Sequence, residues 1–264
     1  MHPLQSTALE VGNESITLHE LIQRARALNQ TQFVESAITA ALIRQAANDM
    51  ELFVSKEEIQ AAADVFRATY RLQKAEDALS WLKSRGLTVG EWQATIEEEV
   101  LRAKFRHRKF GRKVETYFAE HKLEFDCATI SRIVVDSEGL ACELVLQLKE
   151  EGASFEDLAR LHSLDKENRA HGGYIGKVNR KGLGPAASAA IFGSKPGTTH
   201  GPFKVGKEHR ILRLINLHPA VLDDATREEI ENILLNEWIA EARERTKISI
   251  PLYEAIPAVA EVAG

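Results

Sequence analysis

Two stretches decide the fold of this chain: Ala128-Thr-Ile-Ser-Arg-Ile-Val-Val135 and Arg210-Ile-Leu-Arg-Leu-Ile-Asn-Leu217. Both are rich in β-branched and aliphatic residues, which are typical of strands. Residues 126–217 hold eleven glycines, whereas residues 1–125 hold four, so the middle of the chain is predicted to contain the turns. Three helices are also predicted between the two strands: Leu140–Leu148, a segment capped by Ser154 that runs to about His162, and Ala186–Phe192.

The region before the first strand is predicted to be helical. Capping-box patterns, in which a Ser or Thr is followed three residues later by Glu, begin at Thr17, Ser55 and Thr88. Apolar residues at helical spacing follow each of them, which is typical of helices that bury one face. We expect about six helices before Phe125.

A further long helix is predicted after the second strand, capped by Asp223 or Asp224 and ending before Pro251. Its apolar face needs a partner, and the N-terminal helices are the natural one. We therefore expect an α+β protein in which a helical domain, residues 1–125 plus 218–254, is interrupted by a sheet domain at 126–217. Residues 255–264 are predicted to form a tail.

Composition excludes several classes of protein. Of the 264 residues, 44% are hydrophobic and 28% are charged, which fits a globular chain rather than a disordered or membrane-spanning one. The net charge of −5 gives no overall attraction to nucleic acid, so we expect no nucleic-acid partner and no membrane insertion. The nine histidines form no HxxxH or HExxH pair, and Cys127 and Cys142 form no CxxC pair. We therefore expect no metal site and no cofactor.

The first residues, Met1 to Glu14, contain no basic segment followed by an apolar one, as an export signal would. We therefore expect a cytoplasmic location, although an envelope location stays open because a trimmed N-terminus would give the same pattern. The oligomeric state is left open by the sequence.

Short motifs in the middle segment give the chain a family resemblance. They are Ser131-Arg-Ile-Val-Val135, Gly152-Ala-Ser-Phe155, Ser163-Leu-Asp165, Gly172-Gly173-Tyr-Ile-Gly176, Gly182-Leu183, Ala190-Ile-Phe192 and Gly201-Pro202. In this order, and over about 90 residues, they resemble the parvulin (PpiC-type) peptidyl-prolyl isomerase domain. The flanking helices resemble, more weakly, the SurA/PrsA-type chaperone arrangement. The resemblance implies a four-stranded antiparallel sheet flanked by helices, with a shallow groove that holds an Xaa-Pro segment.

The resemblance also implies which residues line the groove: Arg132, Asp165, Leu183, Ala187, Phe192 and Arg210. Active parvulins have a pair of histidines, and these positions fall on Arg132 and Arg210. The family's pocket Phe falls on Ala187, and the hydroxyl-bearing positions fall on Val205 and Lys207. Asp165 occupies the family's Cys/Asp position and is the one candidate catalytic side chain, although we expect it to act as an ion-pair partner.

These departures have a physical consequence. Rotation about an Xaa-Pro bond has a barrier of about 18–20 kcal/mol, and a guanidinium stays protonated where an imidazole can lose its proton. Two arginines on adjacent strands need a carboxylate, so we predict a cluster of Arg132, Asp165 and Arg210. Two roles are open for these arginines. They form a structural ion-pair network, or they bind a carbonyl group or an acidic side chain of a client peptide.

We expect a SurA/PrsA-like peptide-binding chaperone or foldase whose prolyl isomerase activity is weak or lost. Its partners would be unfolded or proline-containing polypeptides. The alternative is an active isomerase with an altered site, and a third reading is a cytoplasmic maturation or secretion-targeting factor. Residues 102–113 carry seven Lys and Arg, which we interpret as a solvated helix face offset by Glu97, Glu98 and Glu99 rather than as an RNA-binding stripe.

Overall fold

The computed structural model describes residues 6–254 and contains two compact units, each of which is described by itself. The first takes the chain up to Arg112 and again from Glu231, and the second is Lys113–Ile230. The predicted sheet domain, residues 126–217, falls within the second unit, which also includes one helix before it and the first residues of the long helix after it. The predicted tail, residues 255–264, lies outside the described residues.

The first unit opens with a small hairpin that the sequence reading missed. Strands β1 (Thr7–Val11) and β2 (Glu14–Thr17) pair antiparallel across the two residues Gly12-Asn13. Gly12 has φ +62°, a conformation that glycine adopts without strain. A Gly-Asn pair between short alternating segments is a known hairpin signal.

Helices make up the rest of the first unit, and their starts follow the capping chemistry. At Thr17, Ser55 and Thr88, both hydrogen bonds of the predicted capping box are present. The helices are α1 (Leu18–Ala27), α2 (Gln32–Asp49), α3 (Lys56–Thr69), α4 (Ala75–Ser84) and α5 (Val89–Phe110). With α6 (Val114–His121) in the second unit, they make six α-helices before Phe125 among the described residues.

The long helix after the sheet is α10 (Asp224–Arg245), and its first turn is capped by Asp223, whose carboxylate accepts a hydrogen bond from the Thr226 amide at 2.8 Å. Within the first unit, the apolar residues of α10 pack against α2 and α5 around Phe105 and Leu235, both fully buried. The helix α10 ends at Arg245, before Pro251. Pro251 is the first residue of the short helix α11 (Pro251–Glu254), a position at which no amide donor is needed.

The second unit is built on a four-stranded antiparallel sheet, which confirms the α+β fold class. The spatial order is β4-β3-β6-β5, so the two strands predicted first, β3 and β6, form its centre. The strands are β3 (Cys127–Val135), β4 (Tyr174–Asn179), β5 (Thr199–Val205) and β6 (Glu208–His218). The helices are α7 (Glu138–Glu150), α8 (Phe155–His162) and α9 (Pro185–Phe192).

Alternation along β3 and β6 gives the sheet two faces. One face packs on α7 and α8 through Ile133, Val135, Phe155 and Ile211, all at most 1% exposed. The other face packs on α9 around Ile130 and other apolar side chains. The residues Arg132 and Arg210 lie on this second face, since Arg132 is opposite Leu212 and Arg210 is two residues before it.

Candidate functional site

The two predicted groove arginines lie on one sheet face, at diagonal positions across the central strand pair. Arg132 is paired with Leu212 and Arg210 with Val134 in the antiparallel ladder. Their side chains are 28% and 32% exposed. They are therefore partly exposed, neither buried in the core nor extended into bulk solvent, and a groove lined by them stays a prediction from the family resemblance.

Arg132 forms a close ion pair with Asp165. Its Nη2 donates a hydrogen bond to Asp165 Oδ2 at 2.6 Å, and the Asp165 side chain is only 10% exposed. The carboxylate also accepts hydrogen bonds from the Asn168 side-chain amide at 3.2 Å. A charged carboxylate in this position is satisfied by a cation and an amide, as a nearly buried charge must be.

The loop that carries Asp165 is attached to β3 by backbone hydrogen bonds. The Ser163 hydroxyl, which is buried, accepts a hydrogen bond from the Val134 amide at 3.2 Å and another from the Asp165 amide at 3.3 Å. The Leu164 amide donates to the Val134 carbonyl at 2.7 Å. Asp165 is thus held beside Arg132 by the fold of the loop, and the pair is preorganised.

Gly173 fixes the other end of this loop. Its carbonyl accepts a hydrogen bond from the Arg132 amide at 2.8 Å, and its φ is +77°. A Cβ at this position would lie 2.4 Å from the Arg132 carbonyl oxygen. Only glycine therefore lets the loop approach the strand at the position of the groove arginine.

The charge state of Asp165 follows from its surroundings. Burial raises the pKa of its carboxyl, but the hydrogen bonds from Arg132 and Asn168 and the charge of Arg132 lower it by more. The resulting pKa lies below the ordinary value for Asp, so Asp165 is ionised at neutral pH. A carboxylate committed to a permanent cation is a poor proton donor or acceptor.

Arg210 has a different partner from the predicted one. Its Nη2 donates to Glu208 Oε2 at 3.1 Å, and the Glu208 side chain is 47% exposed. Among the described residues Asp165 pairs with Arg132 and not with Arg210, so the predicted three-residue cluster is wrong as to Arg210. The physical reason is local, because residues two apart on a strand lie on the same face and reach one another first.

The three apolar candidates for the groove wall all belong to the cluster of side chains under α9. Ala187 is 6% exposed, and Leu183 and Phe192 pack against the same cluster. The guanidinium of Arg180 lies 4.1 Å from the centre of the Phe192 ring and also pairs with Asp126 at 3.3 Å. Phe192 and Leu183 are partly buried, whereas Ala187 is buried, so the two larger side chains offer more exposed surface than Ala187 does.

The roles of three residues that shape the site were not predicted from the sequence. Ser163 anchors the loop, Asn168 donates hydrogen bonds to the Asp165 carboxylate, and Glu208 pairs with Arg210. Glu208 lies two positions before Arg210 but outside the predicted strand at 210–217; the observed β6 begins at Glu208, which places both side chains on one face. Ser163 belongs to one of the motifs of the family resemblance, but no sequence pattern gives its hydrogen bonds or those of Asn168, since these depend on how the loop folds back on β3.

The other candidate sites carry less chemistry. In the described part of the chain, no three His, Cys, Asp or Glu side chains cluster as a metal site would require, and no helix there is both long and apolar enough to cross a membrane. Part of the basic run on α5 faces inward rather than into solvent. Lys104 pairs with Glu58 at 2.7 Å and Arg106 with Glu231 at 3.4 Å, so the predicted offset by Glu97–Glu99 is not the main one.

Comparison with known proteins identifies the domain. A family model described as rotamase, PPIC-type PPIASE domain, matches residues 131–216. This match begins at the strand that carries Arg132 and ends within the strand that carries Arg210, so it includes every predicted groove residue.

Two relatives are both named foldase protein PrsA. The protein from Halalkalibacterium halodurans is 24% identical over 192 residues, which is 70% of this chain and 57% of the relative. The protein from Caldanaerobacter subterraneus subsp. tengcongensis is 27% identical over 125 residues, 47% of this chain and 40% of the relative. This chain therefore spans about half the length of these relatives.

A solved structure has a similar fold. The crystal structure of peptidylprolyl isomerase (PrsA) from Bacillus anthracis matches with a TM-score of 0.53 and 19% identity, over 83% of this chain and 100% of that one. At this identity the match speaks for the fold and not for the activity. The α+β fold of this chain is thus similar to that of a solved PrsA structure.

Proposed function

We propose that this chain is a PrsA/SurA-like peptide-binding chaperone or foldase. The prolyl isomerase activity of its parvulin-type domain is weak or lost. The single observation that carries the proposal is the 2.6 Å ion pair between Arg132 and Asp165. It occupies the position at which the resemblance implies a histidine and a partner of adjustable protonation.

Prolyl isomerisation passes through a twisted amide. An isomerase lowers a barrier of about 18–20 kcal/mol by stabilising the state in which the amide has lost its conjugation. A polar network can help if its protons shift as the amide twists. The pair of Arg132 and Asp165 is ionised on both sides, and its charges already satisfy one another. It supports binding of a polar group better than it supports a change of protonation.

The apolar side of the groove also supports a weak or lost isomerase activity. Ala187 occupies the position of the family's pocket Phe, and a methyl group offers much less surface to a proline ring than a phenyl group does. Leu183 remains next to it in the same cluster. The groove can therefore hold an apolar residue, with a weaker grip on proline in particular.

The helical unit adds a second surface for a polypeptide. A cleft of about 620 Å³ lies between α2 and α5, and the extended segment Leu52-Phe53-Val54 forms part of its lining. Phe53 is 68% exposed at this position. An exposed aromatic side chain beside a cleft is typical of a surface that contacts apolar segments of another chain.

The isomerase part of the proposal is tested with a protease-free assay, in which exchange between cis and trans Xaa-Pro peptides is followed by NMR. We expect the unmodified protein to give little exchange above the uncatalysed rate. The variant Arg132→His/Arg210→His/Ala187→Phe should gain rate, because it restores the titratable pair and the aromatic wall. Turnover by the unmodified protein at the level of an active parvulin would contradict a weak or lost isomerase activity and favour the alternative, an active isomerase with an altered site.

The chaperone part is tested by suppression of aggregation of an unfolded client protein. Phe53→Ser removes the exposed aromatic residue from the cleft, and we expect it to weaken the suppression. Val65→Ser is the matched control, because Val65 is also 68% exposed and is not part of the cleft lining. Equal loss in both variants, or no suppression by the unmodified protein, would contradict a role of this cleft in client binding.

A further inference from the structure

The ion pairs of Arg132 and Arg210 differ in how exposed the partner carboxylate is. Arg132 is paired with a carboxylate that is 10% exposed and held by Asn168, whereas Arg210 is paired with Glu208, which is 47% exposed. An ion pair with this much exposure contributes about 0–1 kcal/mol, so it exchanges partners at little cost. Arg210 is therefore the groove cation that a ligand can engage.

The donors of Arg210 are largely unused. A guanidinium carries five N–H donors. Among the described residues, Arg210 makes one hydrogen bond through Nη2, and its Nε is buried without a partner. A planar guanidinium with free donors is suited to binding a carboxylate through two parallel hydrogen bonds.

The neighbours of Arg210 supply an apolar setting on the same face. Phe203 lies directly opposite it on β5 and Val134 opposite it on β3, while Leu212 follows on its own strand. Leu212 belongs to the same cluster as Ala187 and Leu183. A residue that occupies the apolar wall would thus place its neighbour in the peptide within reach of Arg210.

We propose that the groove selects acidic client segments, in which Asp or Glu directly precedes the residue held against the apolar wall, and that Arg210 binds this carboxylate. Glu208 is then an internal stand-in that occupies Arg210 when the groove is empty. The inference rests on the proposed function, because it requires that the groove bind a polypeptide. It assigns Arg210 as the residue that sets specificity, and Arg132 as a structural member of the floor.

The test uses the full chain and fluorescein-labelled ten-residue peptides that differ only in the residue before a single proline, which is Glu, Gln or Lys. Binding is followed by fluorescence anisotropy. We expect the Glu peptide to bind about five-fold more tightly than the Gln peptide, as one partly exposed charged contact would give. The preference should shrink at high salt.

Three variants assign the effect. Arg210→Gln should abolish the preference for Glu over Gln, and Glu208→Gln should enlarge it, because the competing internal carboxylate is removed. Arg213→Gln is the matched control, since Arg213 lies on the same strand but on the opposite face, paired with Glu156 and stacked on Phe155. It should leave the preference unchanged. Circular dichroism confirms that each variant is folded.

The outcomes separate this inference from the proposed function. If the Glu and Gln peptides bind equally, or if Arg210→Gln keeps the preference, the acidic selectivity is overturned while peptide binding stands. If none of the peptides binds, the groove is not a polypeptide site, and the proposed function of this domain falls with the inference.

Discussion

The two faces of the central strands β3 and β6 have opposite compositions although they share one backbone. The face under α7 and α8 is a closed apolar layer, with Ile133 and Ile211 both fully buried. The opposite face carries Arg132 and Arg210 among aliphatic residues. The first face is closed and apolar, whereas the second carries two charged side chains that are partly exposed. Substitutions on the two faces should therefore affect different properties.

The largest effect is expected on the closed face. Phe155→Ala should lower the free energy of unfolding by about 4 kcal/mol, because it leaves a cavity in a fully buried layer. Urea denaturation measures this loss. Leu161→Ala in the same helix is the control, since Leu161 is 73% exposed and should cost less than about 0.5 kcal/mol. Similar costs at the two positions would show that the face is not closed.

The next effect concerns the contact between the loop and the strand. Gly173→Ala should cost about 3 kcal/mol, because it adds the strain of φ +77° to a clash with the Arg132 carbonyl. Gly152→Ala is the control: its φ is +69°, but a Cβ there would meet nothing within 4 Å, so about 1 kcal/mol is expected. Thermal unfolding compares the two. Equal costs would mean that strain alone, and not the close approach, makes glycine necessary at 173.

A smaller difference should separate the two ion pairs on the groove face. Asp165→Asn leaves the Arg132 guanidinium without its carboxylate in a largely buried position and should cost about 2 kcal/mol. Glu208→Gln breaks an exposed pair and should change stability by no more than about 0.5 kcal/mol. Urea denaturation distinguishes them. If the two substitutions cost the same, Arg132 is no more firmly paired than Arg210, and Arg210 is not the more exchangeable of the two cations.

The smallest effect is a dependence on pH. The pKa of Asp165 is lower in the folded protein than its ordinary value, so its ionised form stabilises the fold above about pH 4. This contribution is lost as the pH falls through the folded pKa. The difference in unfolding free energy between the unmodified protein and Asp165→Asn should therefore narrow from pH 6 to pH 3. A constant difference over this range would show that the carboxylate's charge does not contribute.

Much of this architecture could be predicted because it depends on local patterns. Capping boxes at Thr17, Ser55 and Thr88 gave helix starts that the structure has, and the β-branched runs gave the two central strands. The four-stranded antiparallel sheet came from the family resemblance and not from periodicity, and the order of the edge strands β4 and β5 was not predicted. The hairpin β1–β2 was missed although Gly12-Asn13 signals it, because the adjacent helix signals are stronger.

The site could be predicted only in part. The proximity of Arg132 and Asp165 was expected from the matching of family positions, and the structure brings these two residues together. The pairing of Arg210 was not, because the choice between Asp165 and Glu208 depends on distances that no sequence spacing supplies. The cation–π contact of Arg180 with Phe192 was not predicted either, because it joins residues that are twelve positions apart and come together only in the folded chain.

The amino-acid sequence by itself determined where helices and strands form and which strand residues share a face, since both follow from the periodicity of the backbone and from capping chemistry. It also determined that permanent cations stand at positions 132 and 210, because guanidinium groups do not lose their charge. Only the tertiary structure decided how each cation is neutralised. That depends on which carboxylate the folded loops bring within hydrogen-bond distance and on how much water reaches it, and both are properties of the packed chain rather than of any short segment.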